Sequence, residues 1–193
     1  MSLKNTVRGI FCGKRLSTLP AGEPAPAISL KDANGQSFLL EEALKNGPVL
    51  AAFFKVNCPT CQFTFPFLER MYETYGNDGF TFVGVSQNNP EDTREFAQEF
   101  AVKFPLLIDD ENGFTASNEY GITNVPSVFL ISQEGKILER SVGFVKQDLE
   151  NMAKEAAVST KRPIAPLFRR AKWFQAISRV EGLATRFRGN LCC

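Results

Sequence analysis

The sequence predicts an α/β domain in which a mixed central sheet is covered by helices on both faces, and three observations carry that prediction. Val49-Leu-Ala-Ala-Phe53-Phe54 is wholly apolar, as expected of a strand buried on both faces of a sheet. From that run to Ile108, strand-like and helix-like segments alternate as β-α-β-α-β, the pattern of parallel crossover units. Ser127–Ile131 and Ile137–Ser141 are then joined by Gln133-Glu-Gly-Lys136, an antiparallel hairpin that makes the sheet mixed.

Each element has its own signal. The first 27 residues, ending in Pro20-Ala-Gly-Glu-Pro24-Ala-Pro26, are rich in Pro and Gly and should run extended over the surface. Ile28–Leu30 and Ser37–Leu39 flank Asp32-Ala-Asn34-Gly35; Asn-Gly between short apolar segments predicts an N-terminal hairpin. Beyond the buried strand, Cys58-Pro59 opens a segment in which Phe63, Phe67, Leu68, Met71 and Tyr75 recur at helical spacing up to Gly76. Phe80–Val85 is a second buried strand, Asn89-Pro90-Glu91-Asp92 starts a helix reaching about Ala101, and Pro105–Ile108 is a short strand. A short helix is expected around Phe114–Tyr120, and one from about Val145 to Ala157 closes the domain.

The chain divides into an arm (1–27), a domain (28–158) and a tail (159–193). With 193 residues, 44% hydrophobic content and 18 Phe, it can bury the core of one domain with length to spare. Lys and Arg number 22 against 21 Asp and Glu, so no nucleic-acid partner is expected from charge. From Lys161 onward, however, eight basic residues meet one acid, leaving the tail at +7 and the rest at −6. Leu167, Phe174, Ile177, Val180, Ala184 and Phe187 share one helical face there, which predicts a basic amphipathic helix that packs on the domain or on a second copy in a homodimer. Contact with an anionic membrane or with nucleic acid is the alternative for such a tail. No apolar run approaches the ~20 residues of a spanning helix, and the first 20 residues carry charges where a signal peptide is apolar. As given, the chain reads as cytoplasmic, or as periplasmic or exported if a signal segment has been removed.

Five cysteines (Cys12, Cys58, Cys61, Cys192 and Cys193) are too few for a disulfide scaffold, but Cys58 and Cys61 have redox spacing. The sequence contains no His, which removes His-ligated metals and His-based catalytic pairs. If the strand ends near Phe54 and the helix begins at Pro59, Cys58 is the N-cap, where unpaired amides and the helix dipole favour a thiolate. Its pKa should fall from ~8.5 into the range of about 3.5–7.5, with Lys55 as a further nearby charge. Pro59 suits the first helical position. Cys61, one turn on and more shielded, should resolve the mixed disulfide that Cys58 forms with a substrate. Half of a structural zinc site is the bland alternative, but the remaining cysteines show no ligand spacing; no metal and no cofactor is expected. Cys192-Cys193 allows a further redox pair or a lipidation site, but adjacent cysteines form a strained ring and chain ends are usually mobile, so the pair is read as incidental.

The segment Val49–Pro66, with FFKVNCPTCQFTFP, resembles the active-site strand, loop and helix of the TlpA/ResA-like branch of thioredoxin-fold proteins, close to the AhpC/TSA redoxins. Tyr120–Ile131, containing Asn124-Val125-Pro126-Ser127 and followed by Gly135-Lys-Ile, resembles that family's cis-proline segment. The resemblance spans Ala25 to Ala157. It implies a thioredoxin-like fold, thiol–disulfide exchange with protein substrates, and an external electron donor. It also implies a cis Val125–Pro126 bond facing the cysteines, with the Val125 backbone open to an extended substrate beside Pro59 and Thr60.

The sequence also departs from that family. Thioredoxins usually carry a buried acid where Ala51-Ala52 stand, and many relatives have Glu at the position of Thr64, so the usual proton-relay carboxylate is missing; Glu69 and Asp109 are the candidate replacements. A peroxidase is the nearest rival reading, since Cys58-Pro59-Thr60 echoes a peroxidatic motif, but Lys55 stands where that motif has Thr or Ser. A non-catalytic binding module on the same fold is the other. Phe53, Phe54, Phe63 and Phe65 are either core or an apolar rim for a substrate, with core the commoner fate.

Overall fold

The computed structural model describes residues 17–76, 79–109 and 113–168. In chain order these form β1 (Ser29–Asp32), β2 (Ser37–Leu39), α1 (Leu40–Leu44), β3 (Val49–Phe54), α2 (Pro59–Tyr75), β4 (Thr81–Ser86), α3 (Pro90–Glu99), β5 (Leu106–Ile108), α4 (Thr115–Glu119), β6 (Ser127–Ile131), β7 (Ile137–Val142) and α5 (Lys146–Thr160). The strands make one sheet in the order β2-β1-β5-β4-β3-β6-β7. β3, β4 and β5 run parallel, whereas β6 joins β3, and β1 joins β5, in antiparallel register. This is the mixed α/β sheet that the alternation of segments predicts.

β3 sits inside the sheet and every one of its residues is buried. Because successive side chains of a strand point to opposite faces, it feeds two cores. Leu50, Ala52 and Phe54 join the face covered by Phe65, Leu68 and Met71 of α2, Phe96 of α3 and Met152 of α5. Val49, Ala51 and Phe53 join the other face, under Leu19, Leu40 of α1 and Tyr120. Aromatic rings dominate both: Phe54 lies 4.4 Å from Phe65 and 4.9 Å from Phe96, and Phe53 lies 4.9 Å from Tyr120. Each such ring stabilises the fold by about 1.5–3 kcal/mol through burial, so the end of β3 is held firmly from both sides.

The N-terminal turn forms as its residues demand: Asp32 Oδ1 accepts from the amides of Asn34 (2.9 Å) and Gln36 (2.8 Å), and Gly35 takes a φ of 86°. The described part of the arm is extended and also anchored. Thr18 and Leu19 are buried, the Leu19 amide donates to Tyr120 O (3.1 Å), and the Gly22 amide donates to Ile137 O (2.8 Å) at the start of β7.

α2 runs through Pro66 to Tyr75, as the helical spacing up to Gly76 predicts, although Pro66 has no amide to donate to Gln62 O. Two features were not legible. α1 has five residues and no side-chain cap, too little for a periodic signal. At the other end, Leu167 does not lie on a tail helix. α5 ends at Thr160, Lys161 turns the chain with a left-handed φ of 55°, and the segment up to Phe168 is not helical. Tyr75 explains its path: its hydroxyl donates to Pro163 O (3.1 Å) and accepts from the Ala165 amide (2.6 Å), while Arg70 Nη1 donates to Leu167 O. Ala165 and Leu167 are consequently buried against α2 and α5. The remaining residues of the expected amphipathic face, with Cys12, Cys192 and Cys193, lie outside the described residues.

Gly47, which leads into β3, has φ 139°, and a Cβ there would lie 1.8 Å from the carbonyl oxygen of Gly79. Gly47→Ala is expected to destabilise the fold by about 2–4 kcal/mol, from backbone strain plus displacement of a neighbouring main chain. A urea denaturation midpoint checks this, and an unchanged midpoint would contradict the packing of these two loops.

Candidate active site

The chain leaves β3 at Phe54 and enters α2 at Pro59, and the intervening Lys55–Cys58 loop is held by side chains from two directions. The Val56 amide donates to Asn88 Oδ1 (3.1 Å), and Gln62 Nε2 donates to Val56 O (2.9 Å). Asn88 is itself fixed, its amide donating to Ser86 Oγ (3.2 Å), which shares a 2.7 Å hydrogen bond with Thr93 Oγ1 on α3. The loop therefore closes over a small polar network. The sequence reading singled out none of Gln62, Ser86, Asn88 or Thr93. The one available signal is Gln62, a polar residue in a run whose other members pack inward.

These bonds place Cys58 at the N-cap of α2, with extended backbone (φ −86°, ψ 114°), as the strand-to-helix reading predicts. Its sulfur accepts from the Cys61 amide at 3.4 Å. The Cys58 pKa is lowered to about 6, first by a hydrogen bond from the Cys61 side chain, then by the Cys61 and Thr60 amides, with a smaller contribution from the charge of Lys55. Partial burial opposes this shift. So does the contact of the Cys58 thiol with Val125 O (3.5 Å), a bond that only the protonated sulfur can donate. Cys61 has the opposite environment. It is fully buried, and its pKa is raised by desolvation and by the adjoining Cys58. Two thiols one turn apart thus titrate far from each other, one a thiolate and one a thiol at neutral pH.

The Val125–Pro126 peptide is cis, and the Cys58–Val125 contact brings that loop onto the cysteine. Ser127 Oγ donates to Asn124 O (2.7 Å), and the Gly143 amide donates to Pro126 O (2.7 Å). Pro59 and Thr60 are exposed beside Cys58, Val125 is half-buried and Pro126 is buried. Phe53, Phe54 and Phe65 are core. Phe63 alone of the four is partly exposed, 4.7 Å from Phe144.

Neither candidate for a replacement carboxylate serves the cysteine pair. Glu69 Oε2 accepts from the Lys103 amide (3.0 Å), and Asp109 accepts from the amides of Ala116 (3.2 Å) and Ser117 (2.8 Å) at the start of α4. Thr64 is buried, its hydroxyl donating to Thr60 O (2.7 Å) within the first turns of α2.

Residues 20–156 match the family described as Redoxin. The chain is 32% identical over 130 residues to the thiol-disulfide oxidoreductase ResA of Halalkalibacterium halodurans, covering 67% of this chain and 72% of that one. For the ResA of Bacillus subtilis the figures are 26% over 141 residues, 72% and 76%. The thioredoxin domain of a thiol-disulfide oxidoreductase from Bacteroides vulgatus superposes with a TM-score of 0.64 at 28% identity, over 72% of this chain and 98% of that one. A thiol:disulfide interchange protein from Chlorobium tepidum gives 0.59 at 27%, over 72% and 98%. The fold is thioredoxin-like, as the two motifs imply.

The lowered pKa has a direct readout. Alkylation of Cys58 by iodoacetamide is expected to rise through a midpoint of about pH 6 instead of the ~8.5 of a free thiol, while buried Cys61 stays unlabelled in the folded protein. Peptide mass spectrometry across about pH 4–10.5 checks this, ~2 units beyond the two midpoints. A Cys58 midpoint near that of a free thiol would contradict the N-cap account.

Proposed function

Since this chain belongs to the Redoxin family and is an oxidoreductase of the thiol–disulfide type, we propose that it exchanges disulfides with protein substrates through the Cys58/Cys61 dithiol. The observation that carries this reading is the Cys58 sulfur at the N-cap of α2, ionised by the Cys61 thiol and the amides it faces, with that thiol buried one turn behind it.

In this reaction the Cys58 thiolate attacks one sulfur of a substrate disulfide. The substrate S–S bond breaks, its second sulfur leaves as a thiolate, and a mixed disulfide joins Cys58 to the substrate. Cys61 then attacks Cys58 Sγ, surrendering its proton as it does so. The bond to the substrate breaks, the departing substrate sulfur takes up a proton, and the Cys58–Cys61 disulfide remains. Two electrons have passed to the substrate, and an external dithiol donor restores the pair. Burial of Cys61 keeps it protonated until the mixed disulfide forms, so that the free dithiol presents a single nucleophile. Pro59, Thr60, Val125 and Pro126 form the surface against which the substrate lies, with the Val125 backbone as partner for an extended chain. The working unit in this reading is 28–158, preceded by the arm and followed by the basic tail.

The test is a glutathione-buffered titration of the reduction potential, run with Cys58→Ser and Cys61→Ser, beside assays of insulin disulfide reduction and of hydrogen peroxide consumption. A reversible two-electron couple is expected, with insulin reduction lost by at least 100-fold in Cys58→Ser, on the order of the rate that an activated nucleophile supplies. Cys61→Ser should accumulate the mixed disulfide. Peroxide turnover faster than insulin reduction would replace this reading with the peroxidase one, and the absence of any couple would replace it with a binding module.

A further inference from the structure

The described part of the N-terminal arm lies against the loop that faces Cys58. Residues 121–126 of that loop lead from α4 to β6, and Val125 O within it accepts from the Cys58 thiol at 3.5 Å. The Ser127–Asn124 hydrogen bond closes the turn on itself, and the Gly143 amide fixes its far end through Pro126 O (2.7 Å). The near end is fixed by the arm. The Thr18 hydroxyl donates to Gly121 O (3.0 Å), a buried bond between residues 103 positions apart. Having given its one hydrogen to Gly121, Thr18 Oγ1 accepts from Thr123 Oγ1 at 3.5 Å. Thr18 thus holds the chain on both sides of Ile122, whose own amide returns to Ser117 O (2.9 Å).

The arm is firmly mounted for this task. The Gly22 and Ala25 amides donate to Ile137 O and Gly135 O (2.8 Å each), and Glu23 O accepts from the Ile137 amide (2.9 Å). Arg140 of β7 braces the same point, its Nη1 donating to Thr18 O (3.0 Å). Tyr120, the residue before the loop, is bonded to the arm twice: its carbonyl accepts from the Leu19 amide (3.1 Å), and its hydroxyl donates to Pro26 O (2.9 Å). Thr18, Leu19 and Tyr120 are all buried, and the Tyr120 ring packs 5.0 Å from Phe129. One rigid path therefore runs from β7 through the arm to the loop over the sulfur.

Resting on the reading of Cys58 as the attacking sulfur and of Val125 as the substrate's backbone partner, we propose that Thr18, braced by Arg140, is a positioning residue that sets how closely the substrate loop approaches Cys58. It acts through Gly121 and Thr123, not by contact with the reacting atoms. Without its hydroxyl the near end of the loop is released, and Val125 O withdraws from the sulfur. The Cys58 thiol then loses an acceptor and part of its burial, and both losses favour the thiolate. Substrate binding weakens while the Cys58 pKa falls further. General loosening of the site has the opposite sign, because fraying the start of α2 removes the amides that stabilise the thiolate and returns the sulfur toward a free thiol. Lys55 and Cys61, the titratable neighbours of Cys58, belong to the loop before α2 and to α2 itself, so a change in the arm leaves their charges in place.

The experiment compares Thr18→Val, Thr18→Ser and Arg140→Met with the unaltered full chain, in dithiothreitol-driven insulin reduction and in iodoacetamide alkylation of Cys58 across pH. Thr18→Val is expected to raise KM for insulin about fivefold, the size of one neutral hydrogen bond, with kcat within about twofold. Its Cys58 midpoint should fall by roughly half a unit, and Thr18→Ser, which keeps the hydroxyl, should restore both values. Arg140→Met alters an exposed residue and carries the test should Thr18→Val not fold: KM is expected to rise at least about twofold, with a lower midpoint. A KM close to that of the unaltered chain in every folded variant, or a midpoint that moves up toward a free thiol, overturns the proposal while the site reading stands. An unaltered chain that reduces no insulin removes the reading of the site, and the proposal with it.

Discussion

The chemistry depends on the backbone amides at the start of α2 pointing at one sulfur atom. An N-terminal turn leaves its first amides without partners in the helix, and here the Cys61 amide finds the Cys58 sulfur at 3.4 Å. The alignment requires a helix that begins where the loop puts it. β3 supplies one fixed point, because its six residues are buried on both faces and cannot slip without exposing an aromatic core. Asn88 and Gln62 supply the other by holding both polar groups of Val56. Pro59 at the first helical position starts α2 without wasting a donor. The sheet, the loop and the cap are therefore one device for holding a thiolate.

The same helix then treats two identical side chains in opposite ways. Cys58 lies at the rim, where the Cys61 thiol and then the Cys61 and Thr60 amides together outweigh the cost of partial burial and its pKa falls to about 6. Cys61 is one turn deeper, where desolvation prevails and its pKa rises. For the reduced protein the sign of the linkage follows. A depressed folded-state pKa contributes stability that is fully present above the unfolded value of ~8.5 and is lost as pH falls through about 6. Buried Cys61 acts in the opposite sense, because above ~8.5 the unfolded chain ionises that thiol and the folded chain does not. The pair therefore favours the reduced fold most between about 6 and ~8.5, toward the upper end, and acid weakens it at the very sulfur that must react.

The elements legible in the sequence are those whose signal is local and redundant. β3 and β6 match their expected bounds residue for residue because a fully buried strand reads as a near-continuous apolar run, broken in β6 only by Ser127 at its start. The cysteine pair was legible because strand, Cys-Pro and helix periodicity coincide at one place. What escaped is tertiary. Residues 161–168 carry a mixed composition that suited an amphipathic tail, yet Tyr75, distant in sequence, draws Pro163 and Ala165 onto α2. Glu69 and Asp109 could be named as acids, but only folding shows that one caps the Lys103 amide and the other the start of α4. Asn88 gives no signal at all, since its worth lies in an amide of the active-site loop, 32 residues away in sequence.

The missing carboxylate belongs to the same balance. A buried acid beside the pair would help Cys61 lose its proton, but its charge would also disfavour the Cys58 thiolate, because like charges at close range raise one another's pKa. Here Ala51 and Ala52 are buried and apolar, and Thr64 turns its hydroxyl back to Thr60 O. The site thus keeps a single negative charge, on the attacking sulfur, and leaves the resolving step to the proton demand of the departing thiolate. The first attack is favoured at neutral pH without any basic side chain, while resolution depends on the basicity of the sulfur that leaves. Such an arrangement selects among mixed disulfides: a poorly basic leaving sulfur departs readily yet takes the Cys61 proton reluctantly, so the balance of those two effects governs which partners are released.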